Sequence, residues 1–362
     1  MEPARMACLF VAFLGLAAAT AWAGAGAQTR PVPLIHMTDL YHPHGDPDDH
    51  WDLATVYALA KAGHVNLLGI VIDYPPSHRV GGPALCAVGQ MNHIAGLAVP
   101  VAIGSARPDG PAGTGADFVI RTLRESPEPV TITVVGSCRD IALAGRKAPE
   151  VFAAKCRAIY LNAGTGTTDP AKGANTEYNV RLDPESYRAV FNIPCPVYWL
   201  PCFDEMVFAD GGPKRVMRYG SLWAFRQGQI LPRLSAPVQN FFLYALKRSD
   251  DACWLRYLGN EIDTDALAEF GRGERRMWCT AGFFHLAGLA VSRQGALVRL
   301  DEQAGQDVLY RFEPISLSLV AEGVGHWEKA GGESQRFIIE IEDTALYPEC
   351  MARALGELLE IL

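Results

Sequence analysis

Thr38-Asp39-Leu40-Tyr41-His42-Pro43-His44-Gly45-Asp46-Pro47-Asp48-Asp49-His50-Trp51-Asp52 packs five aspartates and three histidines into the turn behind the first strand-like run, Val32 to Met37. Crowded carboxylates repel one another, so such a turn is costly unless a cation holds it together. A β-branched run, a polar turn and then an amphipathic stretch form the first unit of a pattern that repeats to about Leu200. Further strand-like runs are Leu67 to Ile72, Val99 to Ile103, Val130 to Val135, Ala158 to Leu161 and Val197 to Leu200. Helix-like stretches fall between them at Asp52 to Ala62, Pro83 to Ala95, Ala116 to Arg124, Asp140 to Ala148 and Pro184 to Phe191.

Alternation of this kind implies an α/β fold, a mostly parallel central sheet with helices on both faces. The carboxyl edge of such a sheet is where ligands bind. Asp39, Asp73, Ser137, Asn162 and Cys202 each stand at or just past the end of a strand-like run, so they share that rim. Beyond Pro201 the pattern loosens into helical segments, Lys214 to Tyr219, Val238 to Leu258 and Gly282 to Val291. Two strand-like runs, Val308 to Phe312 and Phe337 to Glu342, and a last helix, Tyr347 to Leu362, complete these extra C-terminal elements. With no internal repeat or linker, residues 28–362 read as one domain.

The net charge of -8 and the absence of basic runs with interleaved aromatics exclude a nucleic-acid polymer as partner. Residues 1–27 read as a cleaved secretory signal. Arg5 precedes an apolar stretch from Ala7 to Ala21, and Ala21-Trp22-Ala23 and Ala25-Gly26-Ala27 are small-x-small steps. The expected protein is periplasmic or secreted, with no membrane association after cleavage. Its remaining cysteines are scattered without paired C-x-x-C spacing and read as buried thiols rather than a zinc site.

A hard cation such as Ca²⁺ takes six to eight oxygen ligands, and aspartates on a turn supply them from different directions. Helix capping also favours aspartate at such a place. Capping accounts for one or two of these residues, not five.

Thr38-Asp39 followed by Pro47-Asp48-Asp49 resembles the aspartate-rich signature of the nucleoside hydrolase (inosine-uridine-preferring) family. Three more stretches agree in order: Val99-Pro100-Val101-Ala102-Ile103-Gly104, Gly136-Ser137-Cys138-Arg139-Asp140-Ile141-Ala142, and Thr176-Glu177-Tyr178-Asn179-Val180-Arg181-Leu182-Asp183-Pro184-Glu185. The likeness runs from about Val32 to Cys202. It implies an N-glycosidase acting on a ribonucleoside or related ribosyl compound, with Ca²⁺ as cofactor and the possible homo-oligomeric assembly common in that family. Asp39, Asp49 and the backbone carbonyl of Arg139 are then implied as metal ligands, and Asp48 as general base. Glu177, Asn179 and Asn162 are implied as holding the hydroxyls of a ribose-like ring.

The chain departs from the family pattern in three places. Tyr41 to Asp46 lengthen the loop between Asp39 and Asp48, and Asp46 is a candidate extra metal ligand. Ile72-Asp73-Tyr74-Pro75-Pro76 replaces an asparagine after the second strand, which makes Asp73 a candidate ribose contact. The late stretch Trp278-Cys279-Thr280-Ala281-Gly282-Phe283-Phe284-His285 lacks the family's aspartate, leaving Thr280 as a weak substitute and His285 as a candidate leaving-group acid. Loss of that carboxylate keeps open an exported nucleoside- or sugar-binding protein without turnover, or a metal-dependent hydrolase of another sugar conjugate.

Overall fold

In the computed structural model, residues 30–40, 48–73, 83–105, 113–167, 177–204, 216–249, 251–300, 307–320 and 323–362 are described. Residues 1–29, with the stretch expected as a secretory signal, and His42, His44, Asp46 and Tyr74 to Pro76 lie outside them. Pro31–Leu362 forms one unit.

Six strands carry the first half: β1 (Val32–Thr38), β2 (Val65–Ile72), β3 (Val101–Ile103), β4 (Val130–Val134), β5 (Cys156–Asn162) and β6 (Val197–Leu200). Two small ribbons follow, β7 (Trp223–Arg226) with β8 (Glu274–Met277) and β9 (Leu289–Val291) with β10 (Leu297–Arg299). The chain then adds β11 (Tyr310–Val320), β12 (Gly323–Lys329) and β13 (Arg336–Ile341). Strand order in the main sheet is β12-β11-β13-β6-β5-β4-β1-β2-β3. From β13 to β3 every neighbouring pair is parallel, and β11 and β12 extend the edge antiparallel.

From β1 the chain steps outward to β2 and β3, then returns to β1's other side for β4, β5 and β6. The switch point therefore lies between β1 and β4, and a crevice opens there beyond the carboxyl ends. Helices cover both faces. On one side lie α1 (Asp48–Lys61) and α2 (Pro83–Ala95); on the other lie α3 (Gly115–Glu125), α4 (Arg139–Lys147) and α5 (Pro149–Lys155). Successive strand residues point to opposite faces, so Leu34 joins the first core and Ile35 the second. Burial on both faces explains why these strands read as continuous apolar runs.

Two short helices, α6 (Tyr178–Leu182) and α7 (Pro184–Val190), precede β6, and α8 (Ala236–Leu246), α9 (Trp254–Tyr257), α10 (Thr264–Gly271), α11 (Thr280–Leu286) and α12 (Tyr347–Leu359) follow it. Two expected helices end early. The stretch expected as Val238 to Leu258 stops at Leu246, because Arg248 turns left-handed at φ 51° and Ser249 N–H bonds back to Tyr244 O. The stretch expected as Gly282 to Val291 stops at Leu286, where Gly288 takes φ 73° and frees Leu289–Val291 to pair as β9. Among the described residues no helix is long and apolar enough to cross a membrane.

Candidate active site

At the switch point β1 delivers Thr38 and Asp39, and the loop after β4 delivers Gly136. A methyl group on Gly136 would stand 2.8 Å from both the Cβ and the backbone nitrogen of Asp39, so only glycine lets the two strand ends approach this closely. Helix α1 starts across the gap with Asp48 and Asp49 in its first turn, where the N-terminal dipole favours carboxylates. The Thr38 hydroxyl joins the two sides: it accepts from Leu40 N–H at 3.2 Å and donates to Asp49 Oδ1. Asp39 and Asp49 share a side-chain hydrogen bond of their own.

Burial raises Asp39 to about 7, with the charges of Asp73 and Glu177 pushing in the same direction and its bond to Asp49 opposing them. Half-buried Asp48 is driven well above the ordinary carboxylate range by desolvation, then by the charges of Asp49, Asp52 and Asp39. Asp73, on the loop after β2, accepts from Ser137 N–H at 3.1 Å and faces the Arg139 guanidinium at 3.7 Å. Desolvation lifts it to about 6 against that cation. Arg139 is the first residue of α4; its side chain is buried and donates to Ser105 O at 2.7 Å.

Glu177 caps α6. Its carboxylate accepts from Asn179 N–H at 2.9 Å, Val180 N–H at 3.1 Å and Gly164 N–H at 2.8 Å, so it fixes the turn after β5 as well as the helix start. Asn179 Nδ2 donates to Val135 O at 3.0 Å and Asn162 O at 3.1 Å, joining the ends of β4 and β5. Asn162 Nδ2 donates to Leu200 O at 2.9 Å and Ser221 Oγ at 3.1 Å. Its Oδ1 receives two thiols, Cys279 at 3.3 Å and Cys202 at 3.6 Å.

Asp39, Asp48, Asp49, Asp73 and Glu177 thus share one electrostatic neighbourhood, with Asn162 and Asn179 building its floor. His285 sits elsewhere. Its Nδ1 is 2.7 Å from Tyr160 Oη, the rings of Tyr198 and Phe312 pack on it, and among the described residues no carboxylate is its hydrogen-bond partner. Burial lowers it to about 4, so it is neutral near pH 7. Sequence reasoning missed two residues at this site. Asp52 follows Asp49 by three and Asp48 by four, a spacing that puts all three on one face of α1. Cys279 stands just before α11, in hydrogen-bond contact with Asp52.

Among the described residues no three His, Cys, Asp or Glu side chains close around a metal-sized point. In donor chemistry Asp39 and Asp49, two buried carboxylates in mutual contact, are of the kind a hard cation takes.

Residues 45–209 match the model of the inosine-uridine preferring nucleoside hydrolase family. A pyrimidine-specific ribonucleoside hydrolase, RihA, of Salmonella agona is 31% identical over 148 residues, spanning 37% of this chain and 44% of the relative. Its counterpart from Salmonella arizonae is 30% identical over 133 residues, 36% of this chain and 39% of the relative. The chain therefore spans less than half the length of these curated relatives. Among solved structures, the plant nucleoside hydrolase PpNRh1 superposes with a TM-score of 0.55 at 14% identity, covering 91% of this chain and 99% of that one. An inosine-guanosine nucleoside hydrolase gives 0.53 at 12% identity, covering 90% and 98%. Those identities speak for the fold alone. Over residues 45–209, a little under half of its length, this chain is thus similar to the inosine-uridine preferring nucleoside hydrolase family.

Proposed function

We propose that this protein hydrolyses the N-glycosidic bond of a ribonucleoside or a related ribosyl compound. The observation that carries the reading is the Thr38–Asp49–Asp39 hydrogen-bonded chain at the β1/β4 switch point with Asp48 beside it. Breaking a nucleosidic C–N bond builds positive charge on the sugar, and a pocket rich in carboxylates stabilises that charge. Asp39 and Asp49 would hold a Ca²⁺ ion, with the Arg139 carbonyl as a further oxygen. When bound, the ion supplies orientation and a lowered pKa for a water molecule.

Asp48 would take the proton as water attacks the anomeric carbon; burial and its acidic neighbours make it a stronger base than an ordinary aspartate. Glu177 and Asn179, fixed by backbone bonds, would present their remaining acceptor capacity to ribose hydroxyls, with Asn162 and Asp73 completing the wall. The apolar stretch from Ala7 to Ala21 supports an exported enzyme acting on a small molecule outside the cytoplasm. Incubation with a panel of purine and pyrimidine nucleosides, with calcium present and reducing sugar as readout, tests the reading. Release of ribose that is lost in Asp48→Asn is expected, and silence on every nucleoside overturns it.

A further inference from the structure

Cys156 opens β5, and Cys195 stands just ahead of β6, the neighbouring strand in the sheet. Both are thiols in the structure, 7% and 2% exposed, and both belong to the core shared with α3, α4 and α5. Strict alternation along β5 would not put Cys156 there, because Ala158 and Tyr160 face the opposite core while Ile159 and Leu161 face this one. A bulge changes the register. Val130 pairs with Cys156 but Thr131 with Ala158, so Arg157 is the extra residue; it is exposed, and Cys156 turns onto the face of Ile159. Cys195 precedes Val197 by two and lies in the same core.

The two strands are held in register where Ile159 pairs with Val197 and its N–H donates to Pro196 O at 2.9 Å. Neighbouring strands lie about 4.8 Å apart, inside the range of about 4.4–6.8 Å between Cα atoms that a disulfide spans. The Cys156 and Cys195 thiols are in side-chain hydrogen-bond contact. Arg336 fixes the chain around Cys195: its guanidinium donates to Cys195 O at 2.8 Å, Phe191 O at 2.6 Å and Ile193 O at 3.0 Å. Cys202 and Cys279 differ, since each directs its thiol at Asn162 Oδ1 in the candidate site. The Cys156 and Cys195 pair lies at the amino ends of the strands, opposite the rim that carries Asp39 and Asn162, and the proposed hydrolysis makes no use of it.

We propose that Cys156 and Cys195 join in a disulfide as the chain folds in the presence of a disulfide oxidant. One thiolate attacks a sulfur of the oxidant, breaks its S–S bond and releases one thiol, leaving a mixed disulfide. The second thiolate then attacks the protein sulfur of that bond and releases the oxidant's other thiol. The two cysteines lose two electrons and two protons, and the oxidant is reduced to two thiols. Its hydrogen bond to Cys195 and its burial push the folded Cys156 thiol up, so thiolate is scarce once the core has closed and the exchange belongs to folding. The proposed export would bring the chain to such an oxidant. The bond closes the crossover from β5 through α6 and α7 to β6, and a cross-link of this kind removes freedom from the unfolded chain.

The test is refolding of the full-length protein from urea into reduced and oxidised glutathione, with circular dichroism as the check on folding. Remaining thiols are then alkylated, and peptides are mapped without reduction by mass spectrometry. The expected result is a linked peptide pair holding Cys156 and Cys195, two hydrogens lighter than the separate peptides and split by dithiothreitol. Dithiothreitol should also lower the melting temperature of the wild type by about 3 °C or more and leave that of Cys195→Ser unchanged; if Cys195→Ser does not fold, Cys156→Ala takes its place. Should refolding fail, the same mapping on protein made in an oxidising compartment gives the answer. Alkyl label on both Cys156 and Cys195 in the folded, oxidant-treated protein overturns the proposal, and so does linkage of either to another cysteine.

Discussion

Gly136 leaves open the space through which Asp39 enters the site: a Cβ there would lie 2.8 Å from the aspartate's own Cβ and 2.8 Å from its backbone nitrogen. Both atoms belong to a strand end pinned by β1–β4 pairing and cannot swing aside as a side-chain tip would. Gly136→Ala should therefore displace Asp39. Overpacking of this kind costs about 1–3 kcal/mol, readable as a lowered urea midpoint, and nucleoside hydrolysis should fall by at least about tenfold, the rate equivalent of about 1.4 kcal/mol. Unchanged activity and stability would show that the loop after β4 is free to shift.

The Thr38 hydroxyl orients Asp49 by donating to Oδ1 while its own oxygen is held by Leu40 N–H. Thr38→Val keeps the β-branched shape and deletes that donor. A hydrogen bond to a charged group contributes about 1.5–3 kcal/mol, so calcium titration of Thr38→Val should show affinity reduced by about tenfold or more. Equal affinities in the two proteins would mean that Asp49 holds its geometry without Thr38.

His36 is wholly buried on β1, with Nδ1 2.8 Å from Thr133 Oγ1, and burial lowers it from 6.5 to about 3. The folded protein keeps this imidazole neutral, whereas the unfolded chain takes up a proton below about 6.5. Stability from this group is thus complete above pH 6.5 and is lost as pH falls towards 3. The slope approaches about 1.4 kcal/mol per pH unit. Urea unfolding at several pH values between 4 and 7 should show a shallower acid-side decline in His36→Gln than in wild type. Parallel curves would place the acid sensitivity in other groups.

His285 packs its imidazole against Tyr160, Tyr198 and Phe312, and its lowered pKa leaves little proton to donate near neutrality. His285→Phe should lose about 1 kcal/mol of stability with the Tyr160 hydrogen bond. Nucleoside turnover should stay within about threefold of wild type, where loss of a general acid costs about a hundredfold or more. A loss of that larger size, with a steeper basic limb in the pH profile, would identify His285 as the acid for the leaving base.

Strand order and most of the helix order from Val32 to Leu200 were legible in the chain, because a parallel sheet buried on both faces leaves a short apolar run for each strand, and Pro83 and Pro184 mark helix starts; the short helices α5 and α6 were not expected. The rim position of Asp39, Asp73 and Asn162 followed from that alternation. Later segments were less legible: a left-handed Arg248 ends a helix that periodicity alone extends, and β12 pairs only through a hairpin whose partner is remote from the sheet's first half.

Residue types and their spacing along one helix or strand end determined the aspartate-rich turn and the sheet class, since these depend on neighbours a few positions away. Tertiary structure alone decided that Cys279 meets Asn162 across 117 residues, that Arg139 turns to Asp73, and that His285 belongs to an aromatic cluster. Those contacts arise where separate strands and helices converge, and a one-dimensional pattern carries no distance between segments that only the folded sheet brings together.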